Sequence, residues 1–237
     1  MKTQHYDLIG DIHGQYDKLT ALLARLGYES NGGGFCHPEG RKVIFLGDYI
    51  DRGPKIREVL LTVRAMVEGG DALAIMGNHE YNAVVYATED GRGGHLRQHK
   101  PDKVKQHAKT LAAFEGREQE WSEWLEWFKG LPFFLEVDGV RAVHACWAQE
   151  DIDFLSDKSL RDDAFLHASA EEGTREFDAV ERVLKGPELL LPDGKLFEDK
   201  EGTLRDKIRA RWWTLEAGLT VGEITMPSGM ECDLVLD

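Results

Sequence analysis

Gly47-Asp48-Tyr49-Ile50-Asp51-Arg52-Gly53 places two carboxylates and one guanidinium on a tight loop directly after the apolar run Lys42-Val43-Ile44-Phe45-Leu46. That run is short, β-branched and aromatic, and turn residues bound it, which predicts a buried strand. Such a strand delivers Asp48 to its carboxyl end, where open α/β sheets place their ligand sites. Carboxylates there can hold metal, and an arginine can hold phosphate.

The same arrangement occurs on either side. Upstream, the strand-like Tyr6 to Ile9 ends in Gly10-Asp11-Ile12-His13-Gly14. Side chains alternate with a period of two in extended chain, so Asp11 and His13 share a face as two ligands of one ion would need. Taken alone, this is a turn with an aspartate cap and an incidental histidine. Downstream, Ala72-Leu73-Ala74-Ile75-Met76 reads as a third strand ending at Gly77-Asn78-His79-Glu80. Asn78 offers a neutral carbonyl oxygen, and His79 can donate a proton or be held by a carboxylate. Three consecutive predicted strands therefore end in glycine followed at once by a possible ligand, and a purely structural reading needs three coincidences.

Helical patterns fill the intervals. Leu19, Leu22, Leu23 and Leu26 form an apolar stripe that closes at Gly27, and Pro54 opens a helix striped by Ile56, Val59, Leu60, Val63 and Val67. The resulting strand–helix alternation predicts an α/β fold. Asn31-Gly32-Gly33-Gly34 lacks the lysine of a phosphate loop and reads as a connector. Residues 81–130 break the rhythm and read as a helical insertion, striped by Ala108, Leu111, Ala112 and Phe114 and then by Trp121, Trp124, Leu125 and Phe128, with Trp121, Trp124, Trp127 and Phe128 read as packing it onto the main domain. His95, His99 and His107 lie there among Arg92, Arg97, Lys100, Lys103 and Lys105; a solvated basic face is the plainer reading, an anion-attracting rim the sharper one. Phe133-Phe134-Leu135-Glu136-Val137 and Val140-Arg141-Ala142-Val143-His144-Ala145 flank Asp138-Gly139, the signature of a hairpin, with His144 at its end. Residues 150–173 read as acidic surface loop with short helices, and Phe177, Val180, Val183 and Leu184 as a further helix. Arg209-Ala210-Arg211-Trp212-Trp213 sets two arginines beside aromatics, as packing and surface charge or as a second phosphate clamp.

With 237 residues and 42% hydrophobic content the chain can bury one substantial core, so we expect a single domain over 1–237. A net charge of −14 argues against a nucleic-acid backbone or an anionic membrane as partner, since both reward basic patches. Cys36, Cys146 and Cys232 are far apart, which indicates neither a disulfide framework nor a thiolate zinc site. The N-terminal residues run into a strand without an apolar signal core, and no apolar stretch is long enough to span a bilayer, so the expected location is the cytoplasm. Nothing in the sequence speaks to oligomeric state.

Together, the Gly-Asp-Ile-His-Gly, Gly-Asp-Tyr-Ile-Asp-Arg-Gly and Gly-Asn-His-Glu motifs and the later His144 resemble the calcineurin-like metallophosphoesterases, specifically the phosphoprotein phosphatase branch in its bacterial form. The motifs cover roughly residues 5 to 147, and Arg211-Trp212-Trp213 is a softer match. The resemblance implies an α/β sandwich of two mixed β-sheets flanked by helices, with two divalent ions (Mn, Fe or Zn, with Mn the usual addition in vitro). It implies Asp11, His13 and Asp48 on the first ion, and Asp48, Asn78 and His144 on the second. Arg52, with Asn78 and Arg211, would bind substrate, while His79, oriented by Asp51, would protonate the leaving oxygen after metal-activated hydroxide attacks a phosphate monoester. Phosphoprotein serine or threonine, or a nucleotide, is the implied substrate, with symmetrical dinucleoside polyphosphate hydrolysis as an alternative. The family pattern has a further Gly-His near the C-terminus with no counterpart before Asp237; His167, in Phe-Leu-His-Ala-Ser, does not match it. A truncated domain missing its C-terminal part, a short chain completed by water or a partner, and a catalytically weakened metal- or phosphate-binding protein all remain open. His144-Ala145-Cys146-Trp147 also departs from the family's fourth motif, which leaves the pocket wall undetermined.

Overall fold

Three short parallel strands carry the three loop motifs on one sheet end. In the computed structural model, which describes residues 4–191, 194, 196–198, 204–214 and 219–226, they are β1 (Tyr6–Ile9), β4 (Lys42–Phe45) and β5 (Ala72–Ala74), in the order β1-β4-β5. The register pairs Ile9 with Phe45 and Phe45 with Ala74, so the three following loops emerge side by side. Val43, Ile44 and Phe45 are fully buried, as the unbroken apolar run predicts for a central parallel strand. The third strand ends two residues earlier than expected. Ile75 N–H still bonds the Phe45 carbonyl, but Met76 N–H turns to Pro132.

Between the strands lie α1 (Tyr16–Arg25), the hairpin of β2 (Glu29–Asn31) and β3 (Gly34–Cys36), and α2 (Ile56–Glu68). Of the expected stripes, Leu19 and Leu23 of α1 and Ile56, Val59, Leu60 and Val63 of α2 are buried, joined by Met66, while Leu22 is exposed and Leu26 and Val67 are half-buried. Pro54 does not open α2. The Gly53-Pro54-Lys55 segment instead docks on the first loop, with Lys55 N–H on the Gly14 carbonyl at 3.0 Å.

Residues 81–130 are helical apart from their connections: α3 (Asn78–Ala87), α4 (Pro101–Ala113) and α5 (Glu118–Lys129). Trp124 and Phe128 of α5 enter the core. The face that α4 buries differs from the aliphatic stripe expected of it. Ala108 and Leu111 are exposed, while His107 and Thr110 are buried. β6 (Phe134–Val137) and β7 (Val140–Val143) form the predicted hairpin, with Asp138 at φ 49° and Gly139 at φ 79° as a type I′ turn requires.

Then come α6 (Gln149–Leu155), α7 (Asp163–Ser169) and α8 (Arg175–Lys185). The short helices expected in residues 150–173 are present, but the segment does not stay on the surface as its acidity suggests. Ile152, Leu155, Leu160, Phe165 and Leu166 are buried, and Asp151 is buried as the shared partner of Arg175 and Arg182. Each helix is only seven residues, too short for its periodicity to stand out.

The chain divides into two compact units, Met1–Leu184 and Lys185–Asp237. In the second, β8 (Glu188–Leu190), β11 (Lys207–Ala210) and β12 (Thr225–Met226) form an antiparallel sheet ordered β12-β11-β8. β9 (Phe197–Glu198) pairs with β10 (Leu204–Arg205), and α9 (Val221–Ile224) precedes β12. Among the described residues each sheet is wholly parallel or wholly antiparallel, within an α/β chain. Cys232 lies outside the described residues. No described helix is long and apolar enough to cross a membrane.

The loops meet backbone to backbone. A Cβ on Gly47, at φ 91°, would lie 2.3 Å from the Gly77 nitrogen, whereas a Cβ on Gly40, at φ 76°, would meet nothing within 4 Å. Gly47→Ala should therefore cost about 3 kcal/mol or more, from left-handed strain plus displaced backbone, and Gly40→Ala only about 1 kcal/mol. Urea unfolding midpoints of the two variants give the comparison.

Candidate metal centre

Asp48 sits where the second loop crosses the N-terminus of α3, and the other predicted ligands gather around it. Its Oδ2 is 3.5 Å from His13 Nε2 and 3.9 Å from His79 Nε2; its Oδ1 is 3.5 Å from His144 Nε2. Asp48 Oδ1 also accepts the His79 backbone N–H at 3.0 Å, an anion placed at a helix start. Donor atoms of His13, Asp48 and His79, and separately of Asp11, Asp48 and His144, lie within 4.8 Å of one another. Asp48 is common to both groups. Asn78 Oδ1 lies 3.1 Å from His144 Nε2.

The histidines are oriented as ligands would be. His13 Nδ1 donates to the Ile50 carbonyl at 2.9 Å and His144 Nδ1 to the Leu46 carbonyl at 2.6 Å, which leaves each Nε2 with its lone pair toward Asp48. His13 Nε2 is buried with no hydrogen-bond partner, a rare condition for a buried polar atom. Burial lowers the His13 pKa, despite the Ile50 carbonyl and the Asp48 charge, and so favours the neutral imidazole that coordination needs. Imidazoles and carboxylates suit Zn, Mn or Fe, and the residues present fit a divalent ion. A thiolate is not among them: Cys146 is buried, and burial pushes its thiol up to about 11.

Asp51 and His79 form a second device. His79 Nδ1 lies 2.5 Å from Asp51 Oδ2, and both side chains are buried. Burial opposes the charged form of each. For His79 it is outweighed by the Asp51 hydrogen bond and the Asp48 charge, so its pKa is raised; for Asp51 hydrogen bonds from His107 and His79 hold the carboxyl well below the usual carboxylate range. Arg52 follows on the exposed side of the same turn.

The backbone here is strained. Among the described residues, non-glycine positions with positive φ are Asp11, His13, Asp48, Asp51, Arg52 and the hairpin's Asp138, so all but the last are predicted site residues. Such conformers cost roughly 1–3 kcal/mol each and persist where surroundings over-determine them. Glu80 is the main determinant. Its fully buried carboxylate accepts N–H groups of Asp48 and Gly77 on Oε2 (2.8 and 3.0 Å) and of Tyr49 and Ile50 on Oε1 (2.8 and 3.3 Å). Burial pushes its pKa up, the Asp48 charge adds to this, and the N–H donors act against both.

Sequence reasoning missed three contributors. Glu80 stands in the third motif without an evident role, His107 reads as part of a solvated basic face, and Thr110 carries no signal. The structure buries His107 and Thr110 against Asp51. His167 is exposed on α7, outside both donor groups. Arg211 belongs to the second unit, where its guanidinium donates to the Glu223 carbonyl.

The sequence profile of the calcineurin-like phosphoesterase family matches residues 5–203. A 74-residue stretch is 49% identical to the asymmetrical bis(5'-nucleosyl)-tetraphosphatase PrpE of Bacillus subtilis strain 168, and the stretch covers 31% of this chain and 30% of that protein. The Halalkalibacterium halodurans protein of the same name is 47% identical over 74 residues, with the same coverage. The chain thus spans about a third of the length of the curated relatives it matches. Among solved structures, a cold-active protein-tyrosine phosphatase of a psychrophilic Shewanella is similar at 21% identity and a TM-score of 0.46, over 78% of this chain and 57% of that one.

Replacing Glu80 by glutamine puts an N–H₂ against a ring of N–H donors. Glu80→Gln should cost about 2–3 kcal/mol, as expected when buried charged acceptors are lost, and hydrogen–deuterium exchange should show reduced protection at the Tyr49 amide.

Proposed function

The chain belongs to the calcineurin-like phosphoesterase family, and from that membership we propose that it is a metal-dependent phosphoesterase acting on phosphate monoesters. The observation that carries the reading is Asp48, the one carboxylate common to two groups of donor atoms, each drawn together within 4.8 Å. In this proposal Asp11, His13 and Asp48 hold one divalent ion, and Asp48, Asn78 and His144 the other. When bound, the pair would supply Lewis-acid polarisation of the phosphoryl group and a water acidified toward neutral pH.

The chain's own residues do the rest. Arg52, exposed beside the donor groups, takes phosphoryl oxygens in a fork that lysine cannot reproduce. Asp51 fixes His79 Nδ1, so the Nε2 edge turns toward Asp48 and the reacting centre. His79, its charged form favoured, gives its Nε2 proton to the leaving oxygen.

A phosphoprotein serine or threonine fits this chemistry. A second reading, cleavage of dinucleoside tetraphosphates, draws on the relatives, whose names specify asymmetrical hydrolysis. The symmetrical cleavage expected as an alternative from sequence is not favoured by those names. Diadenosine tetraphosphate products discriminate directly: ATP plus AMP marks asymmetrical attack, and two ADP marks symmetrical.

Hydrolysis of p-nitrophenyl phosphate with Mn²⁺ tests the main reading, which falls if turnover does not exceed that of Asp48→Asn. We expect Arg52→Ala to lower kcat/KM about 10²-fold, as loss of one positioned charge-stabilising donor does. Asp48→Ala should abolish turnover, because the element shared by both sites is gone. Calorimetric titration should likewise show two Mn²⁺ per chain in the wild type and none held tightly by Asp48→Ala.

A further inference from the structure

The Asp51 carboxylate is divided between two structural elements. Oδ2 faces His79, while Oδ1 receives His107 Nδ1 at 2.9 Å and the Thr110 hydroxyl at 2.5 Å. Thr110 Oγ1 also accepts the Asp51 backbone N–H at 3.0 Å, so one hydroxyl closes a loop around the main chain and side chain of a residue held at φ 66°. His107 and Thr110 are three apart on α4 and share its buried face. Between them Lys109 reaches back with Nζ to the Arg52 carbonyl at 2.5 Å. The His107 ring is held in turn, tilted against Tyr86 at 5.3 Å and Trp121 at 5.8 Å. α4 therefore grips the turn that carries both Asp51 and Arg52.

We propose that His107 and Thr110 are positioning residues that act through Asp51 to aim His79 at the leaving oxygen, so that the proton donor is a four-residue unit rather than an Asp–His pair. The inference rests on the phosphoesterase reading for its consequence in turnover, but the positioning of His79 is readable without turnover. A carboxylate with only His79 to satisfy it could rotate about its side-chain torsions. Two donors on the opposite oxygen fix its plane, and with it the His79 ring.

The decisive experiment compares leaving groups. His107→Phe keeps a ring between Tyr86 and Trp121 but removes the donor, and His107→Asn keeps a donor near the Nδ1 position. With phenyl phosphate, whose leaving oxygen needs a proton, we expect His107→Phe to lower kcat about 10-fold, part of what a general acid contributes. KM should stay within about 2-fold, because the substrate-binding groups are untouched. With 2,4-dinitrophenyl phosphate, which departs without a proton, kcat should change less than about 2-fold. His107→Asn should recover most of the loss, as should Thr110→Ser relative to Thr110→Val. In the double variant His79→Ala/His107→Phe, the second substitution should add almost nothing. Equal losses on both leaving groups, or full additivity with His79→Ala, would overturn the proposal.

Nuclear magnetic resonance provides the arm that needs no activity. The wild type should show a downfield, exchange-protected imidazole proton that disappears in His79→Ala and Asp51→Asn. It should broaden or shift in His107→Phe and Thr110→Val and return in His107→Asn and Thr110→Ser. An unchanged signal in His107→Phe would refute the positioning whatever the assay shows, while a normal set of shifts in a protein without turnover would refute only the phosphoesterase reading. If His107→Phe does not fold, His107→Gln, which moves the donor off the Nδ1 position, carries the same expectations.

Discussion

Everything at the sheet end depends on one buried carboxylate accepting backbone amides from two different loops. Glu80 ties the Gly77 amide at the start of α3 to the amides of Asp48, Tyr49 and Ile50. Those residues lead into Asp51 and Arg52, which occupy the left-handed region together with Asp48. A hydrogen bond to a charged acceptor is worth roughly 1.5–3 kcal/mol, the same order as the cost of one strained residue. The clamp can therefore hold the strained turn. It needs close contact to do so, which the glycines at 47 and 77 allow by bringing their backbones together.

Much of this was legible because short apolar strands followed by glycine are a local signal. The register of β1, β4 and β5 then makes a three-dimensional site from three local motifs, since equal strand ends bring equal loop starts together. Asp11, His13, Asp48, Asn78 and His79 stand out in the sequence for that reason, and His144 stands out at the end of the separate hairpin. Their division between two ions is a separate matter: distance gathers His79 with His13 and Asp48, and Asp11 with His144, while the proposed division places Asp11 with His13 and keeps His79 as the proton donor.

α4 shows a different blindness. Periodicity methods look for apolar residues on the buried face, and α4 buries histidine and threonine while exposing Leu111. The apolar stripe was real as a pattern and wrong as a face, because hydrogen bonding to Asp51 outweighs burial of one leucine side chain. The same logic inverts the reading of residues 150–173, where an acidic residue is buried because two arginines meet it. Charge composition reports surface only when charges lack partners, and partners distant in sequence are invisible to it.

The splitting of the Asp51 carboxylate between loop and helix bears on transplanting such a site. A designer grafting only the three glycine loops onto another parallel sheet would carry over Asp11, His13, Asp48, Asp51, Arg52, Asn78, His79 and Glu80. Such a graft would still leave behind His107 and Thr110, which lie more than fifty residues further along the chain from Asp51. The minimal portable unit is thus discontinuous: three loops, the hairpin end that carries His144, and one helical face that a motif search would not copy.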